Sequence, residues 1–468
     1  MAFLSILLQI ILLLVIARLM RRPGVSQVLS TSLLFLVIIW YVLPNFITIF
    51  FWDSITIPSI VDYDLFLSYS ILESLMLLLT LVFLLRKRPY FQMIMDSDLA
   101  RASVSPSLAL LVVLIAVGWI WASNIVARDY VGRSYLEQNA FLVIAGGTQV
   151  FNNLGSFVFV QNLLACFCYA CLLKKWPKGI QTRVLYFSLL VWIATTVFYQ
   201  SLLGSRVILI MPFFLLVLYG QAQQWSKRKL MSIVAISAVG TLTVGGILAI
   251  IIAQSRNNQE LKIQDIISEL NKTVDTSFAL DAGKELLTNI VTKFDSFSTG
   301  ALLVEQMGAG AGGWQPYWGS VLAVVPRALL PSKPVPGSGD GTYLGHPSRL
   351  VAAAMGMYFS MGNVQVSPAA ISIWQFGYLG LVVLFLFNLV HLYLINSLLL
   401  TRSIPLKSLG LFMIGIPTLL TLFTYADYTI MDMERILMVY AVLFFFHKIQ
   451  RLRPSGLLAQ RPIGRSLV

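Results

Sequence analysis

Arg206 follows Gly204 and Ser205 at the junction of two short apolar runs, and Arg327 follows an apolar run in VVPRALLPSKP. Both stand where charge is expensive, and a charged side chain at membrane depth marks a functional position by default. A guanidinium binds phosphate through two parallel hydrogen bonds and keeps its charge at any relevant pH. Two such groups suit a pyrophosphate. Pro326, Pro331, Pro334 and Pro336 stiffen the second segment, which suits holding a guanidinium in place. The bland account of each arginine is that it snorkels to the interface and meets lipid headgroups. Lys333, Arg349, Arg128 and Arg133 are further basic candidates for contact with a pyrophosphate or a glycan.

His346, in YLGHPSR, can accept a proton near neutral pH. Asp340 within GSGDG is the rival base, in a string that also reads as a plain turn. Asp62-Tyr63-Asp64 could hold a divalent metal against a phosphate, but three residues are too short a pattern to assign a metal site. Glu73 lies inside an apolar run, either as a packing contact or as a proton-relay group, with packing preferred. Cys166, Cys168 and Cys171 lack the paired spacing of a zinc site, and His391 and His447 are read as structural. No P-loop, dinucleotide fingerprint, H-E-x-x-H or Ser-His-Asp signature has a credible setting. No cofactor is called for, and the substrate must carry its own activation.

The elements that would position these residues are membrane helices. The chain has 468 residues, of which 58% are hydrophobic and 11% charged, with a mean hydropathy of +0.82. Soluble domains carry about 45–50% apolar and about 25% charged residues. A water-soluble globule and a disordered chain are both excluded. The net charge of +13 does not imply a nucleic acid, because the basic residues cluster between apolar runs. Those runs, of near-spanning length, fall at 2–19, 31–52, 65–85, 107–127, 156–173, 184–203, 206–220, 231–253, 368–395, 409–426 and 434–447. They predict an all-α polytopic integral membrane protein with about eleven transmembrane helices.

Charge then orients the spans. With Arg18, Arg21 and Arg22 in the cytoplasm, alternation gives the cytoplasmic segments 21 of the 33 Lys and Arg, with Asp96 and Asp98 as their acids. This is the positive-inside asymmetry, with the N-terminus outside and the C-terminus inside. The first span has its basic residues after the apolar core, the reverse of a cleavable signal, and reads as a retained anchor. Residues 1–253 form an N-terminal bundle of about eight spans, 254–367 a large external loop, 368–447 the C-terminal spans, and 448–468 a basic cytoplasmic tail. Within the loop, 258–273 and 278–297 show helical apolar spacing and are expected to lie on the outer membrane surface or on the spans. GAGAGGW at 308–314 follows. A loop of this length is uncommon unless functional, so the working face is expected outside.

Three strings read together: Gly204-Ser205-Arg206 opening a span, PRALLPSKP from Pro326 to Pro334, and Phe376-Gly377-Tyr378-Leu379-Gly380 entering the span after the loop. With this architecture the chain resembles the bacterial O-antigen polymerase (Wzy-type) superfamily, to which O-antigen ligases are related. The resemblance implies a glycosyltransferase in the bacterial inner membrane serving exopolysaccharide or lipopolysaccharide biosynthesis. Its substrates would be undecaprenyl-pyrophosphate-linked oligosaccharides, and a chain-length regulator protein would be a partner beside membrane lipids. Inverting and retaining transfer both remain open. The rival class is a transporter or flippase of lipid-linked glycans, which needs polar groups along a path through the spans; a polymerase is expected to have mostly dry span interiors.

Reporter fusions after residues 100, 178, 228 and 405 are expected to report the cytoplasm, and fusions after 58, 140 and 300 the outside. A cytoplasmic signal at 300 would remove the argument for an external working face.

Overall fold

The computed structural model describes residues 1–22, 24–51, 62–86, 104–131, 148–202, 219–220, 225–226, 232, 296–314, 366–401 and 403–415. Among the described residues the chain is helical, with no strand. The helices are α1 (Ala2–Leu19), α2 (Gln27–Val37), α3 (Leu43–Phe51), α4 (Tyr63–Arg86), α5 (Pro106–Val131), α6 (Thr148–Leu173) and α7 (Ile180–Leu202). They are followed by α8 (Ser296–Met307), α9 (Pro368–Phe376), α10 (Gly380–Leu400) and α11 (Ile404–Met413). Among the described residues, four stretches are long and apolar enough to cross a membrane: Ala2–Leu19, Gln27–Phe50, Tyr63–Arg86 and Pro368–Leu400. Their outward faces are apolar, with Phe3, Leu14 and Leu386 more than half exposed. That is a surface suited to lipid rather than to water.

Two of the expected spans are interrupted. The run 368–395 is not one helix: α9 ends at Gly377, which takes φ +62, and α10 begins three residues later. Only a glycine tolerates this conformation without strain. A Cβ on Gly380 would overlap the Ser372 carbonyl oxygen, so the two helices meet backbone to backbone. The 21 residues of α10 rise about 31 Å, the thickness of a bilayer's hydrocarbon core. It therefore spans alone, and α9 is a short helix buried beside it. The expected span at 409–426 likewise differs, because α11 runs from Ile404 to Met413 and stops at a turn on Gly415 (φ +69). The rest of that run lies outside the described residues.

Part of the loop expected over 254–367 is described. From Ser296 to Leu303 every residue of α8 is buried, and α8 packs on α4 and α9. Of the segments expected to lie on the membrane surface or on the spans, 258–273 and 278–295 are outside the described residues. The GAGAGGW turn folds over the end of α9 through Gly310 N–H to the Ile373 carbonyl, Gly312 N–H to Trp374 and Gly313 N–H to Gln375.

Helix ends gather at two opposite ends of the bundle. At one, Asn396 of α10 accepts the Ser26 N–H (2.8 Å) and donates to the Gly24 carbonyl (2.9 Å), gripping the α1–α2 turn. Arg22 reaches the Leu84 carbonyl there, and Tyr393 the Phe83 carbonyl. At the other, Ser5 meets Ser70. A bundle of alternating crossings requires this grouping.

Gly380→Ala is expected to lower stability by about 1–3 kcal/mol, the usual effect of overpacking. Gly179→Ala, in open space, should change little. Thermal unfolding of both variants in detergent checks the pair.

Candidate functional site

A described acid near the middle of a span organises the centre of the bundle. Glu73 stands near the middle of the 24-residue α4 and is 4% exposed. Its Oε1 accepts the Tyr41 hydroxyl (3.1 Å), while its Oε2 accepts the Ser367 hydroxyl (2.5 Å) and the Ala369 N–H (3.0 Å). Ser367 is the N-cap of α9, and its Oγ also accepts the Ala370 N–H. The carboxylate therefore occupies the positive end of a helix dipole, where an anion is stabilised. It satisfies N–H groups that a helix start leaves without intrahelical partners. Non-helical backbone at membrane depth is tolerated only where protein buries it. Val366 and Ser367 are both buried.

Local chain features bring each partner in. Tyr41 belongs to a π-helical segment, Ile38–Val42, two residues before Pro44. Proline lacks an N–H, and its ring crowds the carbonyl four residues earlier. A wider turn relieves that crowding. Gln9 of α1 braces the segment by donating to the Tyr41 carbonyl (3.1 Å). Ser367 followed by Pro368 is an N-cap with proline at the first helical position. The Ser367 N–H in turn donates to the Ser296 carbonyl of α8 (3.0 Å). Phe297 of α8 packs edge-on against both Tyr41 and Phe66.

A second polar group lies one turn toward the end that holds Ser5. Ser70 donates to Asn45 Oδ1 (2.9 Å), Asn45 Nδ2 to Ser5 Oγ (2.9 Å), and Ser5 then donates to Ser70 (2.7 Å). This closed ring joins α1, α3 and α4. Buried hydroxyls of Thr48 and Ser74 continue it without a partner among the described residues. The dry interior expected of a polymerase is not what this part of the bundle shows.

Most of the residues singled out in the sequence lie elsewhere. Arg133, Arg206, Arg327, Lys333, Asp340, His346 and Arg349 are outside the described residues, and Arg128 is described only as backbone near the end of α5. Asp62 and Asp64 are exposed, and the Asp62 carboxylate accepts the Asp64 N–H (3.4 Å) at the start of α4, as a capping residue does. His391 is buried on α10, its Nε2 without a partner among the described residues. The three cysteines are buried and unpaired on α6. Sequence reasoning singled out Glu73 but missed Tyr41, Ser367 and the Ser5–Asn45–Ser70 ring. Two signals were available: Pro44 inside an apolar run, and the Ser-Pro start of α9. No family model, curated protein or solved structure matches the chain.

Glu73→Ala leaves three donors without an acceptor and is expected to destabilise by about 3 kcal/mol or more, since bonds to charged groups are worth about 1.5–3 kcal/mol each. Glu73→Gln keeps an acceptor oxygen and should recover roughly half. The thermal midpoints of the two purified variants measure the difference.

Proposed function

We propose that the chain is a membrane glycosyltransferase that polymerises undecaprenyl-pyrophosphate-linked repeat units at the outer face of the bacterial inner membrane. The observation that carries this reading is the anchoring of residues 315–365, which contain Arg327, Lys333, Asp340, His346 and Arg349. Trp314, on one side of that stretch, packs on Phe376 at the end of α9 with ring centroids 4.6 Å apart. Ser367, on the other side, is the buried start of the same helix. Five of the eight candidate residues thus belong to a stretch tied at both ends to one helix, and Glu73 holds that helix.

The chemistry needs little more than positioning and charge. The acceptor sugar's hydroxyl attacks the anomeric carbon of the donor as the bond to pyrophosphate breaks. The hydroxyl proton goes to His346 or Asp340, and the departing pyrophosphate carries the electron pair. Arg206 and Arg327 stabilise its growing charge, the type of interaction that commonly supplies the largest part of catalysis. An O-antigen ligase would run the same step with a different acceptor.

A second reading rests on one observation. The buried carboxylate of Glu73 and the hydroxyls around it are what a transporter or flippase of lipid-linked glycans requires in its spans. Most of these groups bond to one another across α1, α3, α4 and α9, which favours packing over passage.

Gel analysis of surface polysaccharide from a deletion strain separates the readings. Single repeats mean a polymerase, unattached long polymer a ligase, and loss of lipid-linked units from the outer face a flippase. Within the polymerase reading, Arg206→Lys and Arg327→Lys are expected to lose long polymer almost as fully as the alanine variants, because a planar fork cannot be replaced by a point charge. Wild-type ladders from both lysine variants, at matched protein levels, would sink the clamp.

A further inference from the structure

The α9 helix has nine residues and rises about 13 Å, and both its ends are bonded to other segments. At its start Glu73 Oε2 holds the Ser367 hydroxyl and the Ala369 N–H, and the Ser296 carbonyl holds the Ser367 N–H. Gly300 of α8 lies close against this turn: a Cβ there would stand 2.7 Å from the Ala370 Cβ and 2.9 Å from the Ser367 Cβ. At its end the carbonyls of Ile373, Trp374 and Gln375 accept the N–H groups of Gly310, Gly312 and Gly313. The buried Trp374 indole fits against Gly312, where a Cβ would come within 2.9 Å of the ring. The α8 helix, the glycine turn and α9 thus form one closely packed unit.

Glu73 ties this unit to the spanning helix α4 through its bonds to the start of α9. A close-packed interior transmits strain rather than absorbing it. Losing or lengthening the Glu73–Ser367 bond therefore shifts α9 and, at the far end, Phe376 with the Trp314 ring that rests on it. The stretch 315–365 follows Trp314 in the chain and precedes Val366 and Ser367. One hydrogen-bonded pair consequently sets both attachments of that stretch.

We propose that Glu73 and Ser367 are positioning residues for glycosyl transfer. Neither touches the substrate. By fixing the start of α9 they fix the attachments of the stretch whose cationic groups meet the donor's pyrophosphate. This role rests on the glycosyltransferase reading.

The test uses the full chain in nanodiscs, with lipid-linked repeat units purified from the deletion strain as substrate. Ser367→Ala removes one hydroxyl of the pair, and Glu73→Asp shortens the reach of the other by one methylene. Each is expected to raise KM and to lower kcat/KM about tenfold or more, since a misplacement of about 1 Å far from the chemistry can cost about a hundredfold. Ser367→Thr keeps the hydroxyl and should restore both constants to within about twofold of the wild type. Asn396→Ala removes two bonds at the opposite end of the bundle; it should lower the thermal midpoint yet leave KM unchanged. Amide exchange supplies a readout independent of turnover. In Ser367→Ala, exchange should quicken together at 369–371 and at 310–313, and in Asn396→Ala at neither. Faster exchange at 369–371 alone would overturn the transmission along α9. With an active wild type, an unchanged KM in both Ser367→Ala and Glu73→Asp would overturn the positioning role alone. Absence of transfer by the wild type would instead overturn the glycosyltransferase reading, and this role with it. Should Ser367→Ala fail to fold, KM and amide exchange of Glu73→Asp decide.

Discussion

A carboxylate buried at the midpoint of a membrane helix must find its compensation inside the protein, since lipid offers none. Glu73 finds it in two hydroxyls and one peptide N–H, all brought by other segments. Much of the surrounding architecture follows. Tyr41 can reach it from a π-helical turn that Pro44 favours, and α1 braces that turn through Gln9. Ser367 can reach it only if α9 begins at mid-depth, which forces the chain to turn back at Gly377 before α10 crosses the bilayer. The α8 helix is then drawn in as well, because the Ser367 N–H needs the Ser296 carbonyl.

The two ends of the bundle are held differently. At one end, backbone groups of the α1–α2 turn are bound by Asn396, and carbonyls near the end of α4 by Arg22 and Tyr393. Each of these side chains answers a polar group that a helix terminus leaves open. At the other, hydroxyl and amide groups bond chiefly to one another, as in the Ser5–Asn45–Ser70 ring. Interhelical bonds of this kind in bilayers are worth roughly 0.6–2 kcal/mol each. Their value here lies as much in fixing register between α1, α3 and α4 as in stability.

Hydropathy makes the helices legible, and their ends only roughly. The apolar runs 2–19, 65–85 and 107–127 correspond to α1, α4 and α5, the last two extended by a few residues. The division of 368–395 is not legible by the same means, because a helix buried in protein and a helix facing lipid are equally apolar. The punctuation was present in Ser367-Pro368 and Gly377, which a hydropathy window averages away. The role of α8 was further out of reach. Its segment SFSTGALLVEQM is too polar for a span, and its burial depends on α4, more than two hundred residues away. Glu73 was visible as an anomaly, but partners nearly three hundred residues distant follow from no local pattern. The arginines that prompt a pyrophosphate reading lie outside the described residues, so their legibility rests on spacing and charge alone.

The geometry around Glu73 also bears on what this carboxylate can do. All three of its partners donate, so the arrangement is that of an acceptor. A proton placed on Oε2 would have to be donated onward, yet Ser367 Oγ already accepts from Ala370 and donates to Glu73. A proton on Oε1 would require the Tyr41 hydroxyl to reverse. The first change loosens the start of α9, which fixes Trp314 through its far end and Ser367 at its near end. A relay at Glu73 would therefore move the anchors of the 315–365 stretch with every proton it passed. A cap keeps them still, and the bonds around Glu73 are those of a cap.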